Sequence, residues 1–330
     1  MINKNKVFII AEAGNNHEGN FTIAKKLVDE AYKSGADAIK FQTYNVDKFI
    51  SPGNKETYNK FKKYSLSRDQ FNKLARYCKK KKIIFFSTPF DLESAYFLNN
   101  IQNIFKISSG DNNFYDLIRT VVKFNKELII STGFLNIKNI KEIYKYLISI
   151  KDKKKLKLHF LHCISCYPTE LDKINLLSIR KIEKEFPNIG VGFSDHTIGM
   201  KAAVYAVLLG AKIIEKHFTL DNNFSNHRDH KISLNPKDFK EMVLRIREAE
   251  MIMGKEIKII NNSEKLNMVN ARRSAYAKND LTIGKVLKKN DVIFLRPGNG
   301  VSHKKILSLY GKKIKKNILK NTQLKKRYFI

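Results

Sequence analysis

The sequence predicts an α/β fold, a (β/α)8 barrel (TIM barrel) followed by a small C-terminal β-rich domain. Eight short apolar, β-branched segments recur along the first two-thirds of the 330-residue chain, and stretches with helical spacing of apolar residues separate them. Strands that alternate with helices pair in parallel, because a parallel connection needs a long crossover. Eight such units match a closed barrel, which typically takes about 250 residues.

The eight predicted strands follow one another at short intervals. They are Val7–Ala11, Ala38–Phe41, Ile83–Phe86, Ile104–Ile107, Leu128–Ile130, Leu158–Ile164, Ile189–Phe193 and Ile213–Glu215. A doubly wound sheet is the alternative, but it would have fewer strands and a glycine-rich phosphate loop after the first one. Residues 13–16, Ala-Gly-Asn-Asn, lack that G-x-G-x-x-G pattern, which favours the barrel.

The strand–helix pattern breaks around Ile257–Asn270, where the chain becomes polar. Two short β-like pieces follow, Ser274–Ala277 and Val292–Leu295. We therefore predict a catalytic barrel over residues 1–255, a linker over 256–270 and a β-rich domain over 271–330. A domain of this size is marginal by itself, so we expect it to pack on the barrel or on another subunit.

The net charge of +32 is weak evidence for a nucleic-acid partner. The 63 basic residues are spread along the whole chain, and abundant Lys, Ile and Asn without Trp are typical of A/T-rich codons. No apolar run reaches the roughly 18–20 residues of a membrane span, and residues 1–6 lack the features of a signal peptide. We expect a cytoplasmic protein that binds neither nucleic acid nor membrane.

Reactive side chains follow nearly every predicted strand, as expected at the catalytic face of a barrel. They are Glu12; Lys40 and Gln42; Thr88; Lys106, Ser109 and Asp111; Ser131; Ser165 and Tyr167; Ser194 and His196; and His217. Any one of them could be a strand cap, but eight strand ends together indicate a substrate site. A non-enzymatic nucleic-acid-binding or surface-binding protein would leave this order unexplained.

These residue types suit a specific chemistry. Two lysines among several hydroxyls suit a small anion that bears phosphate and carboxylate. His196 and His217 end neighbouring strands and could share one divalent metal, with open positions for water and a carbonyl oxygen. Glu12 and Asp111 are candidate metal partners or proton-handling groups.

Six motifs, in order along the chain, resemble those of the sialic acid (N-acetylneuraminate, or nonulosonate) synthase family. They are Ile9–Gly19, Lys40–Thr43, Ser87–Asp91, Ser194–Thr197, Glu215–Thr219 and Arg296–Gly300. The last lies in a tail that looks like the antifreeze-like (SAF, β-clip) domain of that family. The resemblance implies metal-dependent condensation of phosphoenolpyruvate with N-acetylmannosamine or a close 2-acetamido sugar, with water, giving N-acetylneuraminate and phosphate by C–O cleavage.

The resemblance also implies a role for each position. Lys40, Thr88, Lys106, Ser109, Ser131 and Ser194 would hold phosphoenolpyruvate; Gln42, Ser165, Tyr167, Asp229 and Arg296 would position the sugar; His196 and His217 would bind Mn²⁺ or Mg²⁺; Glu12 and Asp111 would handle water and protons. Family members are homodimers in which the SAF domain of one subunit covers the barrel of the other, so Arg296 would act on the partner's barrel.

Two departures from the family pattern leave the acceptor sugar open. Asp111 stands where the sialic acid branch carries Glu, and Ser165 stands where it carries Asn. A 2,4-diacetamido-2,4,6-trideoxyhexose, giving legionaminate or pseudaminate, is the alternative acceptor, and a 6-phosphorylated sugar is conceivable. More remote is a class I aldolase, in which Lys40 or Lys106 would form a Schiff base without a metal.

Overall fold

The computed structural model of the chain describes Ile2 and residues 6–330. The expectation that no signal peptide is present concerns residues 1–6, of which 1 and 3–5 lie outside the described residues. The chain forms two compact units, Met1–Gly254 and Lys255–Ile330. In the part that the structure describes, no helix is both long and apolar enough to cross a bilayer.

The first unit is a nearly closed eight-stranded parallel barrel, which confirms the predicted fold class. The strands are β1 (Phe8–Gly14), β2 (Ala38–Thr43), β3 (Ile84–Pro89), β4 (Ile104–Ile107), β5 (Glu127–Ser131), β6 (Leu158–Cys163), β7 (Gly190–Asp195) and β8 (Ile213–His217). They pair in the order β3-β2-β1-β8-β7-β6-β5-β4. Strands β3 and β4 lie side by side, but no ladder joins them within the described residues.

Helices connect the strands, and most of them cover the outer face of the barrel. They are α1 (Phe21–Lys33), α2 (Val46–Phe49), α3 (Lys55–Tyr64), α4 (Arg68–Lys81), α5 (Leu92–Leu98), α6 (Tyr115–Lys123), α7 (Ile137–Ile150), α8 (Leu177–Glu185), α9 (Lys201–Leu208), α10 (Arg228–Ile232) and α11 (Pro236–Met253). Their amphipathic faces are buried against the strands: Ala24, Leu27, Val28 and Ala31 on α1 are examples. Helices α2 and α3 lie between β2 and α4 and contain no buried residue.

Several strands extend into residues that the sequence places after them. β1 reaches Gly14, β7 reaches Asp195 and β8 reaches His217. Side chains alternate between the two faces of a strand, so a polar residue two positions past an apolar lumen residue also faces the lumen. Ile10 belongs to the apolar cluster inside the barrel, and Glu12 follows it on the same face. The strand ends therefore carry polar side chains into the lumen, above the layer of apolar side chains that fills the rest of the barrel.

The second unit contains a two-stranded antiparallel sheet. β9 (Ser274–Ala277) and β10 (Val292–Leu295) coincide with the two predicted pieces and pair with each other. Helix α12 (Asn262–Ala271) occupies most of the predicted linker, because the Asn261 side chain caps its first turn by accepting a hydrogen bond from the Glu264 backbone N–H. The short helix α13 (His303–Ile306) follows β10, and the unit has its own apolar core.

Candidate active site

A cavity of about 570 Å³ opens at the carboxyl ends of the barrel strands. Thirteen of the fifteen predicted site residues line it. They are Glu12, Lys40, Gln42, Thr88, Lys106, Ser109, Ser131, Ser165, Tyr167, Ser194, His196, His217 and Asp229. Twelve of them lie on or just after the barrel strands, whereas Asp229 lies on α10 beyond β8. Strand register brings many of them side by side: Glu12 pairs with Lys40 on β2 and with His217 on β8.

Asp111 is not among the residues that line the cavity. It ends a short turn after β4, and its carboxylate accepts a hydrogen bond from the Ser108 hydroxyl at 2.7 Å. Burial raises the pKa of Asp111 above its usual value. Ser108 itself lines the cavity, so Asp111 contacts the site through this hydroxyl.

Arg296 belongs to the second unit and directly follows β10. Its side chain is exposed. The expectation that it acts on the barrel of a partner subunit stays a prediction.

Two lysines and two glutamates form a buried cluster on the cavity floor. Glu12 lies 2.7 Å from the Lys40 Nζ. Glu215 lies 2.8 Å from the Lys106 Nζ and 3.6 Å from the Lys40 Nζ. All four side chains are at most 6% exposed, so their charges interact with little solvent screening.

The four charges shift one another's pKa values. Burial works against ionisation of Glu215, but the Lys106 and Lys40 ammoniums outweigh it and hold the pKa of Glu215 below its usual value. Burial, with Glu215 nearby, raises the pKa of Glu12 to about 7 despite the Lys40 charge. Burial lowers the pKa of Lys106. Burial also acts to lower the pKa of Lys40, but the Glu12 and Glu215 carboxylates outweigh it and raise that pKa. Glu12 is therefore the member of the cluster poised to exchange a proton near neutrality.

The sequence pattern did not predict the central position of Glu215. The residue stood in a family motif, Glu215–Thr219, without an assigned role. It accepts hydrogen bonds from the Lys106 Nζ and from the Ser194 hydroxyl, the latter at 2.9 Å. Its spacing of two from His217 was the available signal, because both side chains then face the lumen.

His196 and His217 lie close enough to each other to bind one divalent metal together. Their ring centroids are 5.4 Å apart, and the Tyr167 ring stacks on His196 at 4.1 Å. The Nδ1 of His196 donates to the Ile164 carbonyl at 2.8 Å, which leaves Nε2 as the free lone-pair nitrogen. The Nδ1 of His217 is buried and has no hydrogen-bond partner in the described part of the chain.

The two imidazoles would need further ligands. Among the described residues, no group of three or more His, Cys, Asp or Glu side chains is arranged to hold a metal. Water and a substrate oxygen would complete the coordination, as an open catalytic site requires. Burial lowers the pKa of His217 to about 3, so this ring stays neutral and able to bind a cation.

The outer end of the cavity is formed by α2, α3 and the segment after β8. Phe49, Phe61 and Phe90 line it and pack on one another, with ring centroids of Phe49 and Phe90 4.5 Å apart. His227, Arg228 and Asp229 also line it. The Arg228 guanidinium lies 4.7 Å above the Tyr167 ring and 3.5 Å from the Asp229 carboxylate.

Fold and cavity together define a (β/α)8-barrel enzyme with a small C-terminal β domain. The NeuB family model matches residues 27–258 and the SAF domain model matches residues 272–327. The chain belongs to the NeuB family, and it is an enzyme of the synthase kind, a transferase.

Named relatives agree with this assignment. An N,N'-diacetyllegionaminic acid synthase of Campylobacter jejuni is 37% identical, over 94% of this chain and 97% of that one. A pseudaminic acid synthase of the same species is also 37% identical, over 95% and 94%. The crystal structure of an N-acetylneuraminic acid (sialic acid) synthetase from Leptospira borgpetersenii, in complex with citrate, is 34% identical with a TM-score of 0.75, covering 80% of this chain and 91% of that one.

Proposed function

We propose that the chain condenses phosphoenolpyruvate with an N-acetylated amino sugar and water, giving a nine-carbon 2-keto acid and phosphate. The observation that carries the proposal is the buried cluster of Lys40, Lys106, Glu12 and Glu215 beneath a ring of strand-end hydroxyls. Two ammoniums at the closed end of a cavity suit a compact, multiply charged anion. The family assignment supports the same reaction class.

Phosphoenolpyruvate would occupy the cavity floor. The Lys40 Nζ donates to the Thr88 hydroxyl at 3.2 Å, so ammonium and hydroxyl are presented together. Ser109, Ser131 and Ser194 line the same cavity. The Ser131 hydroxyl has no hydrogen-bond partner among the described residues and is free to donate to the substrate. The lysines would bind the phosphate and carboxylate groups of the substrate, and the hydroxyls would orient it so that C3 faces the open end.

Glu12 would move the proton of the attacking water. C3 of phosphoenolpyruvate attacks the aldehyde carbon of the sugar, and water then adds to the cationic C2. That water must lose a proton, and a carboxylate with a pKa of about 7 is suited to accept it. The tetrahedral intermediate expels phosphate by cleavage of the C–O bond. Lys40 and Lys106 would stabilise the negative charge that develops on the leaving phosphate.

His196 and His217 would hold Mn²⁺ or Mg²⁺. When bound there, the ion would polarise the aldehyde oxygen of the sugar as a Lewis acid. Tyr167 packs against both rings and would keep them oriented. Gln42, Ser165 and Asp229 would contact the sugar, and Asp111 would hold the Ser108 hydroxyl in place.

N-acetylmannosamine, giving N-acetylneuraminate, is one acceptor that fits the proposal. A 2,4-diacetamido-2,4,6-trideoxyhexose is the second, and the Phe49, Phe61 and Phe90 wall favours it. That sugar carries a methyl group at C6 and a second acetyl methyl, which gain from apolar contact. The legionaminic and pseudaminic acid synthases among the relatives support this second acceptor.

The assembly follows from the family resemblance. The chain would act as a homodimer in the cytoplasm, with the SAF domain of one subunit over the barrel of the other. Arg296 would then contact the sugar in the partner's barrel. Size-exclusion chromatography with light scattering would detect the dimer, and a purely monomeric active enzyme would contradict it.

Phosphate release from phosphoenolpyruvate tests the reaction. Purified protein is given Mn²⁺ or chelator, with N-acetylmannosamine, its 6-phosphate or the diacetamido sugar. We expect phosphate release only when the metal and one sugar are both present. Lys40→Met should lose release, whereas Lys73→Met, a control at an exposed lysine, should keep it. Release without sugar contradicts the proposal, as does covalent trapping of pyruvate on Lys40 or Lys106 by borohydride, which indicates an aldolase.

A further inference from the structure

His227 is a buried cavity residue to which neither the family motifs nor the cluster of charges assigns a role. Its side chain lines the cavity and the residue is only 9% exposed. Neither ring nitrogen has a hydrogen-bond partner in the described part of the chain. A carboxylate oxygen of Asp229 lies 3.5 Å from Nε2, which is beyond ordinary hydrogen-bond distance. Buried polar atoms in native proteins nearly always have partners, so this ring is suited to a ligand.

The backbone around His227 is held in place without using its ring. Its N–H donates to the Ser225 hydroxyl at 3.0 Å, and that hydroxyl donates to Glu18 in the loop after β1. Its carbonyl accepts from the His230 N–H at 3.1 Å. The loop therefore fixes the position of the ring while both ring nitrogens stay available.

His227 lies at the outer, aromatic end of the cavity. Its ring packs edge-on against Tyr64, with centroids 5.4 Å apart. Tyr64 and Phe61 are three residues apart on α3 and hence neighbours on that helix, and Phe61 is part of the apolar wall. The imidazole of His227, which contacts Tyr64, therefore lies beside the face of α3 that also carries Phe61.

An acylamino group matches this combination. It offers a carbonyl acceptor, an N–H donor and a methyl group, whereas a hydroxyl has no methyl and a phosphate has only acceptors. A neutral imidazole has one donor and one acceptor nitrogen, and burial lowers the pKa of His227, which keeps the ring neutral. The cations at this end, Lys60 and Arg228, are matched by the carboxylates of Glu56 and Asp229, which also line the cavity, so there is no excess positive charge for a phosphate.

We infer that His227 is a specificity residue that hydrogen-bonds a second acylamino group on the acceptor sugar, with Phe61 and its neighbours receiving the methyl. The inference rests on the proposed function. With phosphoenolpyruvate on the lumen floor, the aldehyde end of an open-chain sugar must face inward. The substituents far from that aldehyde then lie at the outer end, beside His227.

The test compares His227→Phe, which keeps the ring volume, with His227→Gln, which restores one donor and one acceptor. Steady-state KM is measured for the 2,4-diacetamido-2,4,6-trideoxyhexose, for N-acetylmannosamine and for phosphoenolpyruvate. We expect His227→Phe to raise KM for the diacetamido sugar about tenfold, the loss of one or two hydrogen bonds. KM for the other two substrates should change by less than about twofold, and His227→Gln should recover most of the loss.

Several results would overturn the inference. They are an equal rise in KM for both sugars, a rise for phosphoenolpyruvate, no recovery in His227→Gln, or a wild-type preference for N-acetylmannosamine or its 6-phosphate. His227→Leu replaces the Phe variant if that one does not fold, as judged by its thermal unfolding. Wild-type protein that releases phosphate with none of the sugars contradicts the proposed function and the inference together, whereas release without discrimination by the variants contradicts the inference alone.

Discussion

The Lys106 ammonium lies 2.8 Å from one carboxylate oxygen of Glu215 and 3.1 Å from the other. Both side chains are buried at the floor of the cavity. This pair joins β4 to β8 across the barrel lumen, and Lys40 and Glu12 extend it to β2 and β1. With all four groups ionised the cluster carries no net charge. Binding of an anionic substrate must therefore be accompanied by a change in the protonation of the cluster or in the net charge of the site.

Glu215→Gln should destabilise the protein by about 3–5 kcal/mol, because it leaves a buried ammonium without its counter-charge. Urea unfolding measures this loss. Phosphoenolpyruvate should raise the Tm of the variant by more than that of the wild type, since the substrate supplies the missing negative charge. Glu185→Gln, at a surface ion pair, is the control and should change little. An unchanged free energy of unfolding, or equal Tm shifts, would show that Glu215 does not balance the lysines.

Stability should depend on pH through Glu12. Its pKa is raised to about 7 in the folded protein from about 4.5, so between these values the folded state binds more protons than the unfolded chain. The free energy of unfolding should therefore fall as pH rises from about 4.5 to 7, by at most about 1.4 kcal/mol per pH unit, and then level off. Urea unfolding in chelator, taken as the difference between wild type and Glu12→Gln, isolates this effect. A difference that stays flat or grows with pH would refute it.

Metal binding should depend on both imidazoles. His217→Ala should weaken Mn²⁺ affinity by more than the roughly 10- to 100-fold that loss of an outer hydrogen-bond partner costs. Isothermal titration calorimetry measures the affinity directly and requires no activity. His303→Ala, in the second unit, is the matched control. Equal affinities of the two variants would place the metal elsewhere.

A separate buried ion pair joins β7 and β8, the strands next to His196 and carrying His217. The Lys216 Nζ lies 3.1 Å from Asp195, both side chains are fully buried, and the two residues pair between β7 and β8. Lys216→Met should lower the free energy of unfolding by about 3–5 kcal/mol, because Asp195 is left unpaired. The double variant Asp195→Asn with Lys216→Met should be more stable than the single one. Additive losses in urea unfolding would mean that the two residues act independently.

The barrel could be predicted from periodicity, whereas strand ends could not. Apolar β-branched runs end where the lumen becomes polar, so β1 and β8 were predicted too short although their hydrogen bonding continues to Gly14 and His217. Glu215 ends the predicted eighth strand, but the sequence does not show that lysines from two other strands converge on it. The predicted linker contains α12, because a polar helix has no apolar stripe to distinguish it from a loop.

Most of the predicted site residues line the cavity, because a barrel brings strand ends together whatever its loops do. His227 could not be predicted in this way. It lies ten residues beyond β8, and its significance depends on contact with Tyr64 and on two unpaired nitrogens. Such features arise only from the tertiary fold.

The fate of the bridging oxygen of phosphoenolpyruvate tests the central claim most directly. Phosphoenolpyruvate labelled with ¹⁸O at that position is turned over with Mn²⁺ and either the diacetamido sugar or N-acetylmannosamine. Mass spectrometry of the products then shows which one carries the label. Attack by C3 followed by C–O cleavage predicts a nine-carbon keto acid without the label and phosphate that carries it. Label retained in the keto acid, or no sugar-dependent phosphate at all, would contradict the account.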